Sequence, residues 1–152
     1  MGTKSTITFY LKDMPFVKVY QCFDGYPHGV GRELCDWLRQ KALVNGINSR
    51  LKNKTMYANG VGDLVAQYIH DFKKEIGGLY IYPVNHDTFA DFHYSVIIDD
   101  DINLPECGEP LNNASTIRVT TSNGEEIFCG KIEDYYEFAN NYKNRGIKWE
   151  RR

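Results

Sequence analysis

Strands and helices fall into separate blocks along this 152-residue chain. That segregation predicts an α+β fold, a mainly antiparallel sheet with two central helices and a C-terminal helix, in the order ββααββββα. Three observations lead there. Period-two alternation opens the chain and returns from Leu79, a helical apolar period fills the interval, and a further helical pattern follows the last strands.

The segment STITFYLK places Ile7, Phe9 and Leu11 on one face, and MPFVKVYQCFD follows across Lys12, Asp13, Met14 and Pro15, which predicts a hairpin. In its second strand Lys18, Tyr20 and Cys22 oppose Val17, Val19, Gln21 and Phe23. From Arg32 onward Leu34, Trp37, Leu38 and Ala42 recur at helical spacing. After an Asn- and Lys-rich stretch over 45–55, the period resumes with Leu64, Val65, Tyr68, Ile69, Phe72 and Ile76. Gly77 and Gly78 then stop the helix and LYIYPV begins a strand.

FHYSVII sets Phe92, Tyr94, Val96 and Ile98 against His93, Ser95 and Ile97, and exits on Asp99, Asp100 and Asp101, read as a solvated strand end. STIRVTT and EEIFCGKI flank Ser122, Asn123 and Gly124, a strong hairpin signal. IEDYYEFANNYKN repeats Tyr135, Phe138, Ala139 and Tyr142 at helical spacing, with acids in its first turn as the dipole prefers. The whole reads as one domain, 1–152, with a flexible tail from about position 144.

A content of 42% hydrophobic and 25% charged residues suits a single core without metal or disulfide staples. A net charge of -2 gives no general attraction to long nucleic acid or to an anionic membrane, and no apolar run reaches the ~18 residues of a span. Cys22, Cys35, Cys107 and Cys129 form no Cys-x-x-Cys pair and no signal peptide opens the chain, which together predict a reducing cytoplasm. His28, His70, His86 and His93 lack zinc spacing, so neither metal nor cofactor is expected and no residue is assigned to catalysis.

The candidate site rests on a device that occurs twice. GVG stands at Gly29–Gly31 and again at Gly60–Gly62, each running into a helical pattern. A helix start offers unpaired N–H groups and positive dipole charge, and glycines let a phosphate approach them. Around the first copy lie Gln21, Asp24, Gly25, Tyr26, Pro27, His28 and Arg32; around the second lie Asn59 and Gln67. Tyr80 and Tyr82 supply faces on which a base can stack. The plainer alternative makes Asp24–Pro27 an ordinary turn, Asn59 a cap and Asp63 an acid matched to the helix dipole.

MGTKS, YQCFDGYPHGVGREL, NGVGDLVAQ and GGLYIYP, in that order, carry a resemblance to a family of small proteins that recur in bacteria and their phages. The resemblance spans roughly the first 82 positions and implies a shared fold and site without a settled reaction. Positions fitting its pattern are Thr3, Ser5, Gln21, Asp24–Pro27, Gly29, Gly31, Asn59, Gly60, Gly62, Gln67, Gly77, Gly78 and Tyr82; Lys4 and Asp63 depart from it.

Design and phage context together point to a binding module in the cytoplasm of the bacterial host. It would sequester a nucleotide-derived immune signal, a cyclic oligonucleotide or an ADP-ribose derivative, as an anti-defence protein, and a homo-oligomer suits such a sponge. Two other classes stand beside it. One is a phosphodiesterase or hydrolase using His28 or His86; the other is an interaction module that inhibits a host factor through its aromatic surface.

Overall fold

The chain folds, in a computed structural model that describes residues 2–47, 51 and 55–150 (side chains to 143), around one six-stranded sheet. In chain order the elements are β1 (Ser5–Leu11), β2 (Met14–Gln21), a π-helical turn (Pro27–Gly31), α1 (Arg32–Leu38), β3 (Ala42–Val44), β4 (Tyr57–Asn59) and α2 (Gly60–Phe72). There follow β5 (Leu79–Pro83), β6 (Phe92–Ile98), β7 (Glu109–Pro110), α3 (Leu111–Ala114), β8 (Ser115–Thr121), β9 (Glu126–Gly130) and α4 (Ile132–Glu150). The large sheet has the order β5-β2-β1-β6-β8-β9, and a small one the order β4-β3-β7.

The α+β class and the succession of long elements match the sequence expectation. In the large sheet β1 and β6 pair in parallel, and its other pairs are antiparallel. The short strands β3, β4 and β7 and the four-residue α3 were not foreseen, being too brief to show a period. The second helix ends at Phe72 rather than at Gly77 and Gly78. Lys73 turns extended there and its ammonium donates to Leu79 O at 2.9 Å, which leaves Ile76 98% exposed. The tail expected from about position 144 has its side chains outside the described residues; the backbone of α4 runs to Glu150.

Alternation decides which side of the sheet the helices cover. Ile7, Phe9, Val19, Tyr94, Val96, Ile98, Ile117 and Val119 are buried together with Leu34 and Leu38 of α1, Leu64 and Tyr68 of α2, and Ile132 and Tyr135 of α4. Each such side chain contributes about 1.5–3 kcal/mol through burial. Phe9 packs on Tyr68 at 5.7 Å between ring centroids, and Phe128 of β9 on Tyr135 at 5.4 Å, so α2 and α4 lie on the same face. The other face is left to the polar phase of the strands. Among the described residues no helix is long and apolar enough to cross a membrane.

The two GVG segments serve different ends. A Cβ on Gly31 would collide with Tyr135 Oη and lie 2.8 Å from Tyr94 Cε1, whereas one on Gly62 would meet nothing nearer than Phe16 at 4.0 Å. Gly31→Ala is therefore expected to cost about 1–3 kcal/mol by overpacking. Gly62→Ala, in an exposed helical position, is expected to be neutral or to stabilise by up to about 1 kcal/mol. Chemical denaturation of the two variants checks this, and equal effects would contradict it.

Candidate functional site

Several backbone amides of the two glycine segments, which were expected to meet an anion, are engaged within the chain. In the Asp24–Gly31 loop, Gly25 N–H donates to Thr3 O at 2.9 Å, Gly29 N–H to Tyr26 O at 2.9 Å and Val30 N–H to Asp24 O at 2.7 Å. The buried hydroxyls of Tyr94 and Tyr135 donate to Gly25 O and Pro27 O at 2.7 and 2.6 Å. At the start of α2, Val61 N–H donates to the Asp101 carboxylate at 3.1 Å and Asn59 N–H to that of Asp63 at 2.8 Å. Asn59 turns its own side chain to Gly46 N–H. A carboxylate thus stands where a phosphate was expected, as the dipole favours, and Asp101 is a capping group rather than a solvated strand exit.

The two loops also lie at opposite ends of the sheet. Gly25 is tied to Thr3, just ahead of β1, while Gly60 sits beside Asp101, past the end of β6. Because β1 and β6 run in parallel from Ser5↔Phe92 to Leu11↔Ile98, a seven-residue strand, about 20 Å, separates the two. They form no common cradle.

Other expected site residues also bond within the chain, although Gln67 Oε1 is buried without a partner among the described residues. Gln21 accepts the Tyr68 hydroxyl at 3.0 Å, and Gln67 donates to Tyr57 O at 2.8 Å. Tyr26 stacks on His28 at 4.2 Å and donates to Asp24 at 3.0 Å, while Arg32 lies 5.9 Å from the centre of the Tyr136 ring. Asp24 holds this turn with a left-handed φ of 56°, which Asp tolerates better than most residues. The imidazoles of His86 and His93 each meet a threonine hydroxyl. His86 Nδ1 meets Thr88 Oγ1 at 2.6 Å, His93 Nδ1 meets Thr6 Oγ1 at 2.6 Å, and Asp91 accepts Lys4 N–H at 2.8 Å.

Tyr80 and Tyr82 point instead to the helix-free face. Strand register sets two rows across it. One row runs Tyr82, Lys18, Thr8, Ser95, Arg118 and Cys129 from β5 to β9; the next runs Tyr80, Tyr20, Thr6, His93, Thr120 and Glu126. Small hydroxyl residues on the central strands therefore lie between long side chains on either side. The result is a trough of about 310 Å³ whose lining includes Thr6, Thr8, Lys18, His93, Ser95 and Arg118.

One rim is aromatic. Tyr20 lies 6.0 Å from both Tyr80 and Tyr82, and the His86 ring stacks on Tyr82 at 4.5 Å. The Lys18 ammonium donates to His86 O, tying β2 to the loop after β5. The opposite rim carries Arg118, whose Nε lies 3.2 Å from Glu126 Oε1. Hydroxyls and two permanent cations line this trough, and the flat rings of Tyr20, Tyr80 and Tyr82 lie beside it on the same face of the sheet.

No protein-family model, curated protein sequence or solved structure matches the chain. Among the described residues no group of three or more His, Cys, Asp or Glu side chains is placed to hold a metal ion.

Thr6, Thr8, Lys18, His93, Ser95, Arg118 and Thr120 were missed as site residues. Their signal was nonetheless present, since all fall on the polar phase of predicted strands. What the sequence withheld was the strand order that joins them.

Burial, reinforced by the Lys18 charge, lowers the pKa of His93 from its ordinary value of 6.5. The unfolded chain then binds this proton more readily than the folded one, so the His93 contribution to stability is complete above about pH 6.5 and declines as pH falls through the folded-state value. The thermal midpoint of the wild type is expected to fall more steeply between pH 7 and 5 than that of His93→Gln. Parallel curves would contradict this.

Proposed function

We propose that the chain captures a small nucleotide-derived signal, of the cyclic oligonucleotide or ADP-ribose class, on its helix-free face and holds it intact, out of reach of its receptor. The observation that carries this reading is the layout of the face. Lys18 and Arg118 flank a floor of Thr8 and Ser95, and Tyr20, Tyr80 and Tyr82 stand together along one rim. Phosphate oxygens would take the cations and hydroxyls, and a base would stack on the rings for about 1–3 kcal/mol.

Retention rather than cleavage is favoured by the state of the imidazoles. His93 is half-buried, bonded to Thr6 and held neutral by desolvation, and His86 is stacked on Tyr82 and bonded to Thr88. Both are built into the walls. The resemblance that the DGYP and NGVG segments carry would imply a phage setting, in which withholding a host signal is useful without turnover.

Incubating the protein with cyclic oligonucleotides and ADP-ribose isomers, then heating it and chromatographing the released material, tests the proposal. Intact recovery of one ligand is expected. Lys18→Gln and Arg118→Gln are each expected to weaken that binding by about tenfold or more, the effect of losing a charge-assisted hydrogen bond. A changed product would replace capture by hydrolysis, and retention of nothing would contradict the reading.

A further inference from the structure

His93 stands on the floor of the trough, between Thr6 of β1 and Thr120 of β8, and lines the same space of about 310 Å³ as Lys18, Thr8 and Ser95. That volume is roughly ten waters, enough for one tetrahedral oxyanion. Among the described residues the ring bonds only through Nδ1, to the Thr6 hydroxyl at 2.6 Å. Nε2 is left for a ligand. A hydroxyl serves both forms of the ring, since it donates to a bare Nδ1 and, turned about its C–O bond, accepts from a protonated one. With Nδ1 bare, the neutral ring carries its hydrogen on Nε2, so a donor faces the ligand in either state.

The charge around the ring is unbalanced in the empty trough. Lys18 and Tyr20 face it from β2, Arg118 from β8, and Glu126 from β9, where it is engaged with Arg118. Strand β1 presents Thr6, Thr8 and Tyr10, none of them charged, and the Asp91 carboxylate, just ahead of β6, accepts the Lys4 amide. Burial, and then the Lys18 charge, hold the ring below its ordinary 6.5. An oxyanion beside Lys18 reverses the second of these, because it cancels the like charge and gives Nε2–H a charged acceptor.

We propose that His93 is the proton-linked contact of the trough: an oxyanion held at Lys18 is bound by Nε2–H and draws a proton from solvent onto Nδ1, so that capture tightens as pH falls. This rests on the reading of the face as the ligand site. The anion-bound ring keeps its proton to a higher pH than the free ring, so a proton is taken up on binding between the two midpoints. Affinity therefore rises as pH drops through the bound-state midpoint and levels off below the free-state one.

Sulfate is the probe, since it stays doubly charged from pH 8 to 5 and brings no titration of its own. NMR follows the His93 ring and the backbone amides through pH titrations in saturating sodium sulfate and in sodium chloride of equal ionic strength. The His93 midpoint is expected to lie about one pH unit higher in sulfate, and sulfate to bind about tenfold tighter at the acid end than at the alkaline end, one linkage read from two sides. The exposed ring of His70 is expected to titrate alike in both salts. His93→Gln keeps a donor but takes no charge, and is expected to bind sulfate with near-constant affinity across the range. Lys18→Gln leaves the ring itself intact, and is expected to raise the His93 midpoint in chloride and to diminish its rise in sulfate.

Sulfate shifts at the Thr8 and Ser95 amides with an unmoved His93 midpoint, or a pH dependence that survives in His93→Gln, would overturn the proton-linked contact and leave the face as the binding site. Trough amides silent to sulfate at every pH overturn the site and the contact together.

Discussion

The parallel pairing of β1 with β6 is the constraint on which the rest of the molecule depends. It joins the N-terminal hairpin to the later β block over seven consecutive residue pairs, and through it β2, β8 and β9 acquire a common register. A one-residue slip would send Ile7 and Phe9 to solvent and Thr6 and Thr8 into the core. Parallel strands also need a long crossover, and the chain between β1 and β6 supplies α1 and α2, which cover one face and leave the other to its polar rows. Core and candidate site are two sides of one register.

The Asp24–Gly31 loop makes a second tie across the molecule. Tyr94 from β6 and Tyr135 from α4 each place a buried hydroxyl on a carbonyl of this loop. Burial raises both phenols above their ordinary range, so they stay neutral donors. Without them Gly25 O and Pro27 O would lose these partners, a cost of about 1–3 kcal/mol for each buried polar group left unsatisfied. Gly31 is required because Tyr135 occupies the space a side chain would need. The most recognisable segment of the sequence is explained here by packing, with the C-terminal helix as its partner.

Most of the fold was legible because its long elements announce themselves by period. Ile7 and Phe9, Tyr94 and Val96, and Ile117 and Val119 alternate plainly, and Leu64, Val65 and Tyr68 mark α2. The three-residue β3 and β4 carry no period, and their pairing depends on contacts between distant segments. The candidate site was legible only in its parts. Tyr80 and Tyr82 were singled out, but Lys18, His93 and Arg118 come from three different strands and share a face only through the order β5-β2-β1-β6-β8-β9. Local sequence also overstated the likeness of the two GVG segments. Gly31 faces two buried tyrosines, Gly62 faces open space, and the Val61 amide at the start of α2 is capped by Asp101 from forty residues away.

The proposed function places the ligand on the helix-free face and not at the glycine loops. Amide chemical-shift mapping by NMR during titration with ADP tests it most directly. Shifts are expected at Thr6, Thr8, Lys18, His93, Ser95 and Arg118, with Gly29–Gly31 and Gly60–Gly62 unmoved. Shifts confined to the glycine loops, with the two rows of the sheet silent, would contradict it.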